Sequence, residues 1–408
     1  MVIYSTWQAN RNINSLMAQY IQRYLEQDLK QGLSQFPVVA ILGSRQCGKS
    51  TLAKKVIQDL GKSVYLDLEV VSDLSKLNDP EAFLRANQDK LVCLDEIQRI
   101  PEIFPLIRGL TDITRRSGQI LVLGSASPEL LRQTSESLAG RINFIDLTPF
   151  LISELPENSL RQHWLRGGYP DSFLAPSDAV SWRWRGNMIR TYLEQDVPNF
   201  GFTISTQTLQ HLWMMLAHTS GQLLNTAKLA DSLGVSRTTI TFYIDILEKT
   251  YMVRVLRPLF TNLKKRLVKS PKVYLRDTGL MHHLLNIEDQ NTLLGHPSYG
   301  GSWETYALEQ ICSTLGYSWK PAFYRTSNGA EIDLVLEKGM RRIAVEFKAS
   351  TAPKATRGLH HAMQDLDITE AYLVAPLPEE TTYPYREGVT VTTVVQLPAL
   401  IEPSPQSD

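Results

Sequence analysis

Gly43-Ser44-Arg45-Gln46-Cys47-Gly48-Lys49-Ser50 decides the fold of this 408-residue chain. The apolar run Val38-Val39-Ala40-Ile41-Leu42 precedes it, and Thr51-Leu52-Ala53-Lys54-Lys55-Val56-Ile57 follows with helical composition. A buried strand, a glycine-bearing loop and a helix in that order form an anion cradle. The glycines let the backbone wrap phosphate oxygens, and the first N–H groups of the helix point at them. Residues Gly43, Ser44, Arg45, Gln46, Cys47, Gly48, Lys49, Ser50 and Thr51 are therefore the expected lining of a triphosphate site. In that pattern the Lys49 ammonium reaches the β- and γ-phosphates and the Ser50 hydroxyl ligates Mg²⁺, which points to Mg-ATP.

Downstream, Leu91-Val92-Cys93-Leu94-Asp95-Glu96 is an apolar strand ending in two carboxylates. Asp95 suits a Mg²⁺ ligand, directly or through water, and Glu96 suits the group that polarises an attacking water. Gln119 to Ser127 reads as a further buried strand, with Ser125 at its tip placed to sense the γ-phosphate. Arg141, after Gly140, is a candidate arginine finger reaching a neighbouring subunit's nucleotide. Strands and helices alternate to about residue 147, as a parallel sheet requires. Ile13 to Leu25 carry apolar residues at helical spacing, so a helix over 12–35 is expected to pack on that sheet.

Residues 158–205 read as helical, their aromatics, Trp164, Trp182, Trp184 and Tyr192, as core. From 206 the pattern is helix, short helix, Gly234 turn, and a third helix from Arg237 capped by Ser236, the spacing of a helix-turn-helix. Two strands flank a basic stretch and complete a wing. Arg237, Thr238, Thr239 and Thr241 open the recognition helix, and Lys264, Lys265, Arg266 and Lys269 supply phosphate contacts, so DNA is the expected partner. Further on, Glu331 to Glu337 and Ile343 to Ala349 form an alternating hairpin. Asp333, Glu346 and Lys348 converge on one face, with Glu304 in the preceding helix as a further carboxylate. Such a group suits a second Mg²⁺ that clamps a scissile phosphate, Lys348 stabilising the charge. A surface hairpin with a cross-strand ion pair is the other reading of the same residues.

Composition is that of an ordinary globular protein, 43% hydrophobic and 21% charged. A net charge of zero means that any nucleic-acid surface must be a local patch. The three cysteines lack metal-knuckle spacing, no secretion signal is legible at Met1 to Trp7, and no apolar run approaches a bilayer span. A cytoplasmic location without membrane contact is expected, with a frayed tail from 401 to 408. The length suits several domains: 1–157 for the nucleotide, 158–205 helical, 206–280 winged helix and 281–400 for the last α/β unit.

Together these segments resemble a family of bacterial and archaeal proteins in which an AAA-type P-loop ATPase domain precedes a DUF4143 region. The resemblance rests on Gly43 to Ser50, Leu94 to Gln98, Ser137 to Arg141, Leu165 to Pro170, Tyr192 to Val197, Lys269 to Tyr274, Asp277 to Leu280, and Asp333 with Glu346-Phe347-Lys348. It implies an α/β fold: a P-loop NTPase parallel sheet, then a helical and winged-helix domain and a restriction-endonuclease-like domain. It also implies ATP binding by Lys49, Ser50 and Asp95, hydrolysis through Glu96, and a homo-oligomer that in relatives is a ring. Two functions fit: a DNA-remodelling ATPase with a nuclease-like domain, or a nucleotide-gated switch whose winged helix and nuclease-like fold only bind partners.

Overall fold

The computed structural model describes residues 20–125, 138–199, 202, 204–259, 267–386 and 388–403. Lys264, Lys265 and Arg266, most of the segment after Ser125, Ser137, the tail beyond 403 and the first part of the expected 12–35 helix lie outside the described residues.

Five short strands build the first sheet: β1 (Val38–Leu42), β2 (Ser63–Asp67), β3 (Leu91–Asp95), β4 (Ile120–Gly124) and β5 (Ile142–Asp146). They are all parallel, in the order β2-β3-β4-β1-β5. β1, β3 and β4 are buried along their whole length, which explains why they read as unbroken apolar runs. Alternate residues serve opposite faces. Val38, Ala40 and Leu42 pack towards the helix Phe104–Thr114. Val39 and Ile41 pack towards the helices Glu26–Gln35 and Lys49–Leu60. The first of these helices begins later than the apolar spacing suggests. Residues 20–25 precede it, which brings Arg23 against the phosphate loop.

The helices Leu160–Arg166, Asp178–Thr191 and Thr206–His218 follow, with a π-helical turn at Tyr192–Asp196. Trp164 and Tyr192 are buried, as expected of core aromatics, whereas Trp182 and Trp184 are half-buried. The winged-helix elements are Thr206–His218, Thr226–Leu233 and Arg237–Lys249, followed by β6 (Val253–Leu256) paired antiparallel with β7 (Lys272–Leu275). Gly234 takes the left-handed turn (φ +65°) and Ser236 Oγ accepts from Thr239 N at 3.0 Å, capping the third helix.

The last sheet is mixed: β8 (Lys320–Arg325), β9 (Glu331–Lys338), β10 (Arg341–Phe347), β11 (Ala371–Val374), β12 (Tyr383–Arg386) and β13 (Val389–Thr392). Its order is β12-β13-β11-β10-β9-β8. The helix Tyr299–Leu315 covers one face and Arg357–Leu366 the other. The first face shares a single apolar core with the middle region, where Trp164, Trp213, Leu247 and Tyr274 join Trp303, Leu334 and Val345.

Two segments behind the resemblance meet here. Asp277 Oδ2 accepts from Gly168 N at 2.8 Å, Thr278 Oγ1 donates to Trp164 O at 2.8 Å, and Arg185 Nη1 donates to the carbonyls of Leu165 and Gly279. The helix Thr278–Leu284 continues across the expected boundary at residue 280, because these contacts tie its start to the helical region.

The wing is also joined to the last sheet. Leu259 N donates to Phe323 O at 2.7 Å and Val268 N donates to Arg325 O at 3.1 Å. Both described ends of the wing loop are thus bonded to β8. Lys269 remains exposed. No helix among the described residues is long and apolar enough to cross a membrane.

Candidate functional site

The phosphate loop leaves β1 at the C-terminal edge of the sheet, where open α/β sheets bind ligands. Two glycines are obligatory there. A Cβ on Gly43 would lie 2.0 Å from Leu147 O, and Gly48 holds φ +104° at the start of the helix Lys49–Leu60. Gly48 offers no side-chain cap, so the first amides of that helix face the loop unsatisfied by it. Lys49 is buried, its Nζ donating to the carbonyls of Gly43 (3.0 Å) and Ser44 (2.8 Å), neutral acceptors that a phosphate can replace. Ser50 follows in the first helical turn, and Thr51 is exposed beside it. Arg45 and Gln46 stand at the solvent side while Cys47 is buried, its Sγ donating to Leu147 O at 3.3 Å. These residues fit a triphosphate and its Mg²⁺.

The neighbouring strand tips bring the expected acids to the same edge. Asp95 Oδ1 accepts the Glu96 amide at 2.9 Å, and its Oδ2 accepts the Tyr65 hydroxyl. That bond and burial both push the Tyr65 hydroxyl well above its ordinary pKa, burial most. Glu96 holds a left-handed backbone, φ +57°, a conformation that is uncommon for a non-glycine residue and costs free energy. Its carboxylate accepts from Ser125 Oγ at 3.2 Å and from the Gln98 amide. Ser125 is therefore joined to Glu96 at the tip of β4, where a γ-phosphate would end. A cavity of about 350 Å³ opens beside them, lined by Arg45, Glu69, Glu96, Arg99, Ser125 and Asp196.

Two of the supporting residues are not singled out as site residues by the sequence. Arg23 is almost fully buried, donating to Cys47 O (2.9 Å), Thr148 O (2.6 Å) and Glu154 (3.1 Å), so it braces the loop from behind. Asp196, on the π-helical turn, receives Arg45 Nη1. Arg141 is differently placed. It precedes β5 at the opposite edge of the sheet, about 15 Å from the loop by strand length, and its guanidinium pairs with Asp112 (3.2 Å from Nη2). It does not reach the nucleotide site of its own chain. A larger cavity, about 650 Å³, lies between the helix Glu26–Gln35 and β8, away from this chemistry. Its arginines, Arg254 and Arg276, are already paired with Glu309.

The C-terminal carboxylates are also brought together, but around a different cation. β9 and β10 pair antiparallel, and Asp333 Oδ2 accepts Phe347 N at 3.1 Å. Glu346 is buried, with Lys348 Nζ at 2.7 Å from Oε1 and Thr356 N at 3.3 Å from Oε2. Lys272 of β7 enters the cluster. Its Nζ lies 3.1 Å from Glu331, 3.5 Å from Glu304 and 3.8 Å from Asp333. Burial lowers the pKa of this ammonium, yet Glu304, Asp333 and Glu331 outweigh it and the net shift is upward. Tyr274 donates to Glu304 at 2.7 Å. Among the described residues no group of three or more His, Cys, Asp or Glu side chains is arranged to hold a metal ion. Where a Mg²⁺ was expected among Glu304, Asp333 and Glu346, the Lys272 ammonium lies beside Glu304 and Asp333, and Lys348 pairs with Glu346.

At the start of the recognition helix, Arg237, Thr238 and Thr241 are exposed and Thr239 is half-buried.

Three family models divide the chain. An AAA domain matches residues 35–156, a domain of unknown function (DUF8612) residues 157–291, and a domain of unknown function (DUF4143) residues 299–400. Uncharacterized proteins of Mycobacterium tuberculosis and Mycobacterium bovis are each 39% identical over 372 residues, covering 91% of this chain and 82% of theirs. An uncharacterized protein of Haemophilus influenzae is 22% identical over 302 residues, 66% of this chain and 74% of that one. Among solved structures, the Walker-type ATPase PABY2304 of Pyrococcus abyssi aligns with a TM-score of 0.47 at 15% identity, covering 65% of this chain and 96% of that one. With its phosphate loop in the AAA segment and its mixed sheet in the DUF4143 segment, the chain belongs to the family of AAA-domain proteins with a C-terminal DUF4143 region that the mycobacterial proteins represent.

Proposed function

We propose that this protein is a Mg-ATP-hydrolysing switch that signals its nucleotide state from the phosphate loop to the helical and winged-helix region. The observation that supports it is the convergence of Lys49, Asp95, Glu96 and Ser125 at one sheet edge, with Arg45 of the same loop tied to Asp196 of the next region. Lys49 supplies charge to the β- and γ-phosphates. Ser50 and Asp95 would hold Mg²⁺, which would neutralise developing charge. Glu96, oriented by Ser125 and Gln98, takes the proton of the attacking water. The test is calorimetry and turnover on two variants. Lys49→Ala loses ATP affinity, and Glu96→Gln keeps it while turnover falls by about 10²-fold or more. Normal turnover in Glu96→Gln overturns this assignment.

Duplex DNA is a second reading for the winged helix, favoured by the exposed first turn of the helix Arg237–Lys249. Contact through that turn and the exposed Lys269 predicts weak, salt-sensitive binding, with a slope that falls by about 0.9 for each phosphate contact removed, as in Lys269→Ala. An unchanged slope removes the reading.

A further inference from the structure

Lys272 is 3% exposed, and its ammonium faces carboxylates from two elements of the C-terminal fold: Glu304 on the helix Tyr299–Leu315, and Glu331 and Asp333 on β9. It comes from β7, on the other side of the shared core, so the contact is one between the winged helix and the C-terminal sheet. We infer that Lys272 is the resident cation of this site, and that the C-terminal sheet is a metal-free clamp on the winged helix.

Three further facts carry the inference. First, each carboxylate already has a second donor: Tyr274 for Glu304, Arg325 (3.4 Å) for Glu331, and the Phe347 amide for Asp333. Oxygens held in this way are not presented to a small ion that demands near-octahedral geometry. Second, Lys348, the lysine expected to act on a scissile phosphate, is spent on Glu346 at 2.7 Å. Third, β7 cannot easily withdraw. Gly221 N donates to Val273 O at 3.0 Å, Leu224 N donates to Pro271 O at 2.8 Å, and Val273, Tyr274 and Leu275 are buried in the common core. Carboxylates packed together need a cation between them. A tethered ammonium meets that need without exchange with solvent.

Manganese binding to the nucleotide-free, chelator-treated full-length protein tests this, with Mn²⁺ counted by electron paramagnetic resonance. Wild type and Asp333→Asn bind the same number of ions. Lys272→Ala gains one further ion, and Lys272→Ala/Asp333→Asn loses it again. Mn²⁺ also raises the Tm of Lys272→Ala by about 2–4 °C relative to its effect on wild type, since a ligand of the folded state stabilises it. One more ion on wild type than on Asp333→Asn overturns the inference, and this comparison stands even if Lys272→Ala fails to fold. A folded Lys272→Ala that gains no Asp333-dependent ion also overturns it.

Discussion

Arg45 of the phosphate loop donates to Asp196 at the end of the π-helical turn, across 151 residues of sequence. Asp196 is 4% exposed, burial raises its carboxyl pKa, and its Oδ2 finds no hydrogen-bond partner among the described residues. Arg45 also lies near Glu69 and borders the cavity beside Glu96. On the proposed function, a γ-phosphate arriving in that cavity would compete with Asp196 for the guanidinium, and the loop would be fastened to the helical region most firmly without a triphosphate.

The two ends of this pair therefore respond to substitution in opposite directions. Arg45→Ala removes a phosphate donor and weakens ATP binding by about 10-fold, the scale of one charge-assisted hydrogen bond. Asp196→Ala frees Arg45 and tightens ATP binding by about 3- to 10-fold, a modest gain because Arg45 is partly exposed. Calorimetric titration of both variants checks this. Equal weakening in both would make the pair a scaffold with no part in nucleotide sensing.

Arg23 calls for a different measurement, since it touches backbone and not nucleotide. Its three partners are the carbonyls of Cys47 and Thr148 and the carboxylate of Glu154, itself 3% exposed. Arg23→Ala removes the cation facing that carboxylate, which keeps the Tyr24 and Leu151 amides, a loss of about 1.5–3 kcal/mol. The expected outcome is a lower unfolding temperature together with weaker ATP binding. Arg23→Ala/Glu154→Gln recovers part of the stability, as a double-mutant cycle by chemical denaturation will show.

The residues legible in the sequence were those whose chemistry is local. Gly43, Gly48, Lys49 and Ser50 sit within eight positions, and only a strand–loop–helix satisfies their spacing. Asp95 and Glu96 follow an apolar strand and were equally plain. Arg23, Asp196 and Lys272 act on partners far along the chain, and nothing near them states which carboxylate or carbonyl they meet. The wing is a further case: the hydrogen bonds of Leu259 and Val268 to β8 are tertiary and leave no local trace. Arg141 adds to these: a lone arginine carries no information about its partner, here Asp112 on another element.

Gly279 tests whether the Leu165–Pro170 and Asp277–Leu280 segments form one rigid joint. A Cβ there would lie 2.0 Å from Arg166 O and 2.7 Å from Gly167 N, both backbone atoms that cannot swing aside. Overpacking of this kind costs about 1–3 kcal/mol or more. Gly279→Ala is expected to destabilise the middle region while leaving the first sheet intact. Hydrogen exchange resolves the two: faster exchange in the helices Leu160–Arg166 and Thr278–Leu284, unchanged exchange in β1, β3 and β4.

The same joint holds a pH dependence. His163 is wholly buried, its ring nitrogens engaged by the Tyr306 hydroxyl (2.9 Å) and Phe150 O (2.9 Å). His282 is bound by Leu165 O (2.9 Å) and Ser302 Oγ (2.7 Å). In the neutral ring one nitrogen donates to the carbonyl and the other accepts from the hydroxyl. Burial pulls His163 down to about 4 and His282 to about 3. A group whose folded pKa is depressed stabilises the fold fully above its unfolded value, about 6.5, and loses that contribution as pH falls towards the folded value. Asp277, pushed up to about 6 by burial, works in the opposite sense as pH falls, and the raised Asp333 does the same. The wild-type profile therefore conceals the histidines, and a difference measurement uncovers them. The stability advantage of wild type over His163→Gln shrinks by about 1.4 kcal/mol for each pH unit between 6.5 and 4. Urea unfolding across that range, followed by tryptophan fluorescence, measures it. A difference that stays constant with pH would mean that His163 is already protonated in the folded core.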